Sequence, residues 1–245
     1  MKSFGIKGIA ADLLRLDVKS VMLYLGEKKV RHSFYNENGD RTFRIHFSDD
    51  GSIRLKQETT FFNGVINGYT NYDSSDNITG NGHYELNSKG QKISYYHNGE
   101  LEEEYQYNEM GQIELVRYAT GAKDWYAYDN NGFASRQLSI LGEFSFFGGP
   151  KEKMFTFLND AHGNIVEMKV FDNETKLLIS TQENKINREG DIVECKNFDG
   201  NGSIQSITFT DYEYDKKQNW TVRKISDNNG RLIREEKRLI AYYSE

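Results

Sequence analysis

The chain alternates polar and apolar residues with a period of two over many short stretches. In "RTFRIHF" Phe43, Ile45 and Phe47 fall on one side, and "SIRLKQETTF" places Ile53 with Leu55. "NWTVRK" pairs Trp220 with Val222, while "ELEEEYQYN" aligns Leu101, Tyr105 and Tyr107, with Glu103 intruding on the same side. Period-two alternation over about eight residues is the pattern of half-exposed β-strands. Helical spacing occurs only in "IAADLLRL", residues 9–16, which predicts one short N-terminal helix.

The punctuation between these stretches is regular. Asn-Gly ends at Gly39, Gly64, Gly68, Gly82, Gly99, Gly132, Gly202 and Gly230, and Asp-Gly ends at Gly51 and Gly200. Such pairs suit type I′ hairpin turns, which need φ > 0 at both central residues. Gly39 to Gly51, Gly99 to Gly111 and Gly190 to Gly202 are each 12 residues apart, leaving ~8 residues of strand per turn. "YDKKQNW" keeps the turn pattern without a glycine. Pro150 is the one proline, as expected where backbone N–H groups are committed to ladders. The pattern predicts an all-β chain, an antiparallel meander of roughly sixteen to twenty strands in repeated hairpins. Open sheets of that size curl or split, so the expectation is a long coiled open sheet, or else two packed sheets.

Four segments, "YNENGD", "YNEMGQI", "YDNNGF" and "YDKKQNW…DNNGRLIREEKRL", resemble YD repeats, the Tyr-Asp-x-x-Gly-Arg-Leu unit of RHS-type proteins. The chain is closer still to the short single-domain YD-like proteins common in Bacteroidetes. The likeness covers roughly residues 30–135 and 155–243, and few units carry the full motif. It implies a repeat-built β architecture and supplies no catalytic residues. The chain is far too short for the large β-shell of long RHS proteins.

Residues 1–245 read as a single repeat-built domain with two interruptions. Residues 62–83 are dense in Asn, Gly, Ser and Asp and suggest a long loop, either a binding element or a mobile one. Residues 141–153 hold Gly148, Gly149 and Pro150, and either divide two sheet segments or form an irregular corner.

Composition narrows the function classes. Aromatics make up 13% of the chain, which argues for a folded protein. A net charge of −6 lacks the basic excess of a general nucleic-acid binder. No apolar run approaches the ~18 residues of a membrane-spanning helix. The single Cys195 forms no internal disulfide and reads as a half-buried strand residue. The N-terminus lacks the apolar core of a signal peptide. The protein is therefore cytoplasmic if Met1 is the native start, and belongs to the cell envelope or periplasm if a signal was removed.

Candidate chemistry is sparse. The five histidines show no metal-ligand spacing, and the acidic turns fail the calcium-loop pattern, with Ile204 and Arg41 where glycine is needed. Carboxylate pairs are plentiful on an acidic sheet and single out no glycosidase centre. Glu100, Glu102, Glu103 and Glu104 suit protection of a sheet edge. Sequons at Asn77, Asn173, Asn201 and Asn219 are by-products of an Asn-rich turn code. The remaining clue is aromatic: Tyr95, Tyr96, Trp125, Tyr126, Tyr242 and Tyr243 as a stacking surface for a sugar or peptide. The expected protein is a non-enzymatic binding or scaffold module for a protein or glycan, with no cofactor, no metal and no catalytic residues. Two other classes stay open, an immunity-type protein for a basic partner and a carbohydrate-active protein. An open meander also offers edge strands for a homodimer.

Overall fold

The computed structural model describes residues 17–141 and 151–243, and every regular element in them is a β-strand. The expected helix at 9–16 lies outside these residues, as does most of the interruption at 141–153. The strands are β1 (Val18–Leu25), β2 (Lys28–Tyr35), β3 (Arg41–Phe47), β4 (Ile53–Phe62), β5 (Val65–Tyr72) and β6 (Ile78–Leu86). Next come β7 (Lys92–His97), β8 (Glu100–Tyr107), β9 (Ile113–Tyr118), β10 (Lys123–Tyr128), β11 (Ala134–Ile140) and β12 (Glu152–Asn159). The last six are β13 (Ile165–Asp172), β14 (Leu178–Ile186), β15 (Ile192–Asp199), β16 (Ile204–Tyr214), β17 (Trp220–Asp227) and β18 (Leu232–Tyr242).

The open sheet expected from the sequence is not what forms, and neither is a pair of packed sheets. Successive strands pair antiparallel in one 18-stranded sheet, and β18 then pairs with β1, so the ladder closes as a barrel. The closing register runs from Val18↔Tyr242 to Leu25↔Glu236, nearly the whole length of β1. Tyr243 N–H extends it by donating to Asp17 O at 3.1 Å, and Lys217 Nζ lies 2.8 Å from Asp17 Oδ2. An open meander would leave β1 and β18 each with a row of unpaired N–H and C=O groups, and closure satisfies both rows. The expected edge strands for a homodimer are thereby removed among the described strands.

The turns differ from the expected type in most hairpins. At residues 36–40 Gly39 N–H donates to Asn36 O, Asn36 N–H donates to Asp40 O, and only Gly39 has positive φ. That is a type I turn followed by a left-handed residue and a bulge, the three-residue hairpin loop. The same hydrogen-bond pair recurs at Asn87, Asn108, Asp129, Asp160, Asn187, Asp199 and Asp215. Type I′ geometry, with both central residues at positive φ, occurs at Asn63-Gly64 and Asn98-Gly99. In "YDKKQNW" Gln218 occupies the glycine position with φ 62.

In these Asn- and Asp-led turns the residue that opens the turn also caps it. Asp129 Oδ1 accepts from the N–H groups of Asn131 and Phe133, both at 2.9 Å, and Asp215 does the same for Lys217 and Asn219. A short carboxylate or amide is the side chain that can hold its own backbone in this way. The Tyr-Asx dipeptide therefore marks a strand end and its cap.

Residues 62–83 are not a long loop. They hold the last residue of β4, all of β5 and the first part of β6, with a five-residue turn at 73–77 between β5 and β6. Gly68 and Gly82 are strand residues: a Cβ on Gly82 would lie 2.8 Å from both the Tyr69 ring and Tyr95 Oη. An aromatic ring laid over a cross-strand glycine fills the space its missing side chain leaves.

The described chain divides into two compact units. The first holds residues 17–101, 210–226 and 230–243, and the second holds 102–141, 151–209 and 227–229. In the first, shielding alternates along β18, where Glu236 and Arg238 are buried between exposed Ile233, Lys237 and Leu239. The face that carries Glu236 and Arg238 also carries Val21, Ser33 and Thr59, all buried. In the second, Val116 and Asn184 are buried, while Glu104, Arg136 and Leu158 are exposed.

Candidate functional site

On the shielded face of the first unit the register sets polar side chains in rows. One row runs Arg238, Leu23, Arg31, His46 and Leu55, across β18, β1, β2, β3 and β4. Beside it runs Ile240, Val21, Ser33, Arg44, Gln57 and Asn71. The bulge at the start of β3 sets Arg41 opposite Tyr35, so Arg41 joins Arg44 on this face. Arg41 Nη2 donates to Gln57 Oε1 at 3.1 Å, Gln57 Nε2 donates to Asn71 Oδ1 at 3.1 Å, and Arg44 Nε donates to Ser33 Oγ at 3.4 Å.

A second group on the same face centres on Glu236, whose side chain is 2% exposed. Arg223 Nε donates to its Oε2 at 2.7 Å, and Arg234 pairs with Oε1. The Arg238 guanidinium lies 3.4 Å from the centroid of the buried Trp220 ring, with Arg223 at 4.8 Å. Six of the chain's twelve arginines thus share one face of this unit. Burial first, then Arg44, Arg31, Arg54 from the opposite face, and Arg41 push the pKa of His46 down to about 4.

The second unit gathers a different chemistry. Asp124 accepts hydrogen bonds from Tyr118 Oη at 2.9 Å, Ser139 Oγ at 2.5 Å and Tyr126 Oη at 3.4 Å, and Gln137 Nε2 donates to Ser139 Oγ at 2.9 Å. Burial, and then Asp124, hold the Tyr118 and Tyr126 phenols protonated well above their ordinary range. Tyr128 is raised to about 12, by burial and then by Tyr107, and its hydroxyl donates to Ile113 O at 2.6 Å. An open cleft of about 480 Å³ lies beside this group, lined by Met110, Gln112, Glu114, Tyr126 and Tyr128 among others. A carboxylate held by three hydroxyl donors is arranged for structure or recognition; as a base it would first have to give up those bonds.

The six aromatics read from the sequence do not share one face. Neighbouring strand residues point to opposite sides, so each dipeptide is split. Tyr95 packs on Tyr84 at 5.0 Å and hydrogen-bonds Tyr69, whereas Tyr96 stacks on His83 on the other side at 4.7 Å. Trp125 lies across from Leu115 and Leu138, and Tyr126 belongs to the Asp124 group. Tyr242 donates to Asp215 and accepts from Asn219 at 3.0 Å, with Lys217 Nζ 4.1 Å from its ring centroid. Tyr243 donates to Tyr35 O. Cys195 is half-buried on β15, and burial raises its thiol pKa. Among the described residues no group of three or more His, Cys, Asp or Glu is placed to hold a metal ion.

The arginine face escaped the sequence reading because the alternation in "RTFRIHF" draws attention to its apolar side. The usable signal was the other side, where Arg44 and His46 alternate with those apolar residues. Trp220 and Val222, expected together, part company: Trp220 packs against the buried Arg238, while Val222 pairs with exposed Lys237. Ile53 and Leu55 are separated in the same way, opposite Phe47 and His46.

Among solved structures the fold is similar to a porin-like protein from Bacteroides uniformis, at 12% identity and a TM-score of 0.45, covering 91% of this chain and 96% of that one. A porin-like protein from Bacteroides vulgatus matches at 9% identity and a TM-score of 0.42, over 94% of this chain and 100% of that one. TcdB2-TccC3 matches at 10% identity and a TM-score of 0.36, over 89% of this chain, which spans 15% of that one. No family model and no curated protein matches the sequence.

Proposed function

We propose that this chain is a non-enzymatic binding module whose ligand contacts the shielded, polar face of its sheet. One observation carries the reading: the most shielded positions are polar as often as apolar. Ser33, Thr59, Thr181, Asn184, Asn219, Glu236 and Arg238 stand beside Val18, Val21, Leu115, Val116, Ala134 and Trp220. Shielding so many hydrogen-bonding groups costs stability unless they are matched, and a face of this kind offers a ligand both donors and acceptors. The YD-repeat resemblance belongs to the same reading, with each Tyr-Asx pair ending a strand and capping its turn, and the array of strands serving as a scaffold.

The test is a titration of the 15N-labelled full chain with neutral glycans, basic peptides and small anions in turn. The expected result is saturable shifts at shielded positions such as Ser33, Gln57 or Thr59, with every compound recovered unchanged. Conversion of any compound to product would overturn the reading, and so would saturable shifts confined to exposed positions such as Glu58 and Leu239.

A further inference from the structure

We infer that Arg31, Arg41 and Arg44, with Ser33 and Gln57 beside them, form a binding site for a doubly charged tetrahedral oxyanion, a phosphoryl or sulfuryl group. The inference rests on the binding reading above and names its ligand chemistry.

The geometry comes from three adjacent strands. Arg31 lies one row from Arg44, and Arg41 follows on the same strand. Strands about 4.8 Å apart, with diagonal neighbours about 7–8 Å apart, let long side chains converge on one group. Neutral oxygens orient two of the guanidinium groups, Ser33 Oγ for Arg44 and Gln57 Oε1 for Arg41. Arg41 Nε is buried with no hydrogen-bond acceptor. A buried donor of that kind is unfavourable until an acceptor arrives. No Asp or Glu occupies this face of β1, β2, β3, β4 or β5; Glu58, the acidic residue of β4, is on the opposite side and accepts from Tyr72.

The local potential agrees with the geometry. His46, in the row of Arg31, is held neutral down to about pH 4 by burial and by these arginines. Three guanidinium forks match a tetrahedral dianion better than a single carboxylate, because each fork can take two oxygens and the charge is doubled.

The experiment is calorimetric titration of the full chain at pH 7.5 with inorganic phosphate, phenyl phosphate and acetate. Alongside it, the His46 imidazole is titrated by NMR in sodium sulfate and in sodium chloride of equal ionic strength. Saturable phosphate binding, about tenfold weaker in Arg44→Gln and unchanged in Arg54→Gln on the opposite face, is the expected result. Sulfate is expected to raise the His46 midpoint above its value in chloride. Tighter binding of phenyl phosphate than of phosphate assigns the site to an ester, and equal binding assigns it to the free anion. The 15N spectrum reports whether Arg44→Gln is folded, and Gln57→Ala is the second variant, expected to weaken binding in the same direction. The inference falls if neither phosphate compound saturates, if acetate binds equally well, if chloride moves His46 as far as sulfate, or if folded Arg44→Gln binds like the parent. Should phosphate fail while a glycan or peptide shifts the shielded face, the anion assignment falls and the binding reading stands. Should nothing shift that face, both fall.

Discussion

His46 shows how one side chain reports the field around it. Its ordinary pKa is 6.5 and its folded value about 4, with burial as the largest cause and the arginines next. The unfolded chain takes up a proton as pH falls through about 6.5, while the folded chain resists until about 4. Within that window the unfolded state binds more protons, so stability decreases as pH falls from about 6.5 to about 4 and this contribution does not change further below. Replacing His46 with Gln is expected to flatten that part of the stability curve, measured by urea unfolding at a series of pH values. An unchanged slope in His46→Gln would show that the folded chain does not hold this imidazole's pKa down. Arginine on this face was present in the sequence as a residue type, but its neighbours were not, because Arg31, Arg44 and Arg238 come to one face only through pairing.

At the scale of single elements the hairpin is the unit, and its chemistry is local. In the turn at 215–219 Gln218 holds a φ of 62 that costs a side chain about 1 kcal/mol and costs glycine almost nothing. Gln218→Gly is expected to raise the unfolding free energy by up to about 1 kcal/mol, less the entropy that glycine adds to the unfolded chain. A clear loss of stability in the variant would mean that the Gln side chain contributes something its backbone strain does not reveal. The opposite expectation holds in β6. Gly82→Ala places a methyl 2.8 Å from the Tyr69 ring and Tyr95 Oη, and should lower stability by about 1–3 kcal/mol in equilibrium unfolding. If that variant unfolds like the parent, the two rings move aside freely and the packing over Gly82 is loose. Gly82 follows an Asn, as the turn glycines do, yet lies in a strand, whereas Gln218, with no such dipeptide, lies in a turn. The dipeptide alone does not separate them, since Asn81-Gly82 needs Tyr69 from the neighbouring strand to explain it.

For the whole molecule the consequential contact is β1 with β18. An open sheet would let its terminal strands fray, whereas a closed one protects them on both sides. Native-state hydrogen exchange should therefore find the amides of β1 and β18 exchanging as slowly as those of β4 and β5. Terminal strands that exchange orders of magnitude faster would contradict the closed ladder. The sequence-based expectation of an open meander had sound local grounds, because every hairpin it foresaw involves residues within about thirty positions of each other. The pairing of Val18 with Tyr242 spans almost the entire chain and leaves no periodic trace.

Strand length, turn spacing, the capping Asx residues and the all-β character were written locally, since each depends on period-two alternation and on side chains that bond their own backbone. Three things were decided only in three dimensions: that the sheet closes, which of its faces is shielded, and which charges meet there. Alternation says that two faces exist and cannot say which one closure will cover. The bulge at each turn then resets the alternation by one residue, moving Trp220 away from Val222 and setting Arg41 beside Arg44. A long-range pairing and a one-residue shift of register thus turned a pattern read for its phenylalanines and tyrosines into a face made by its arginines.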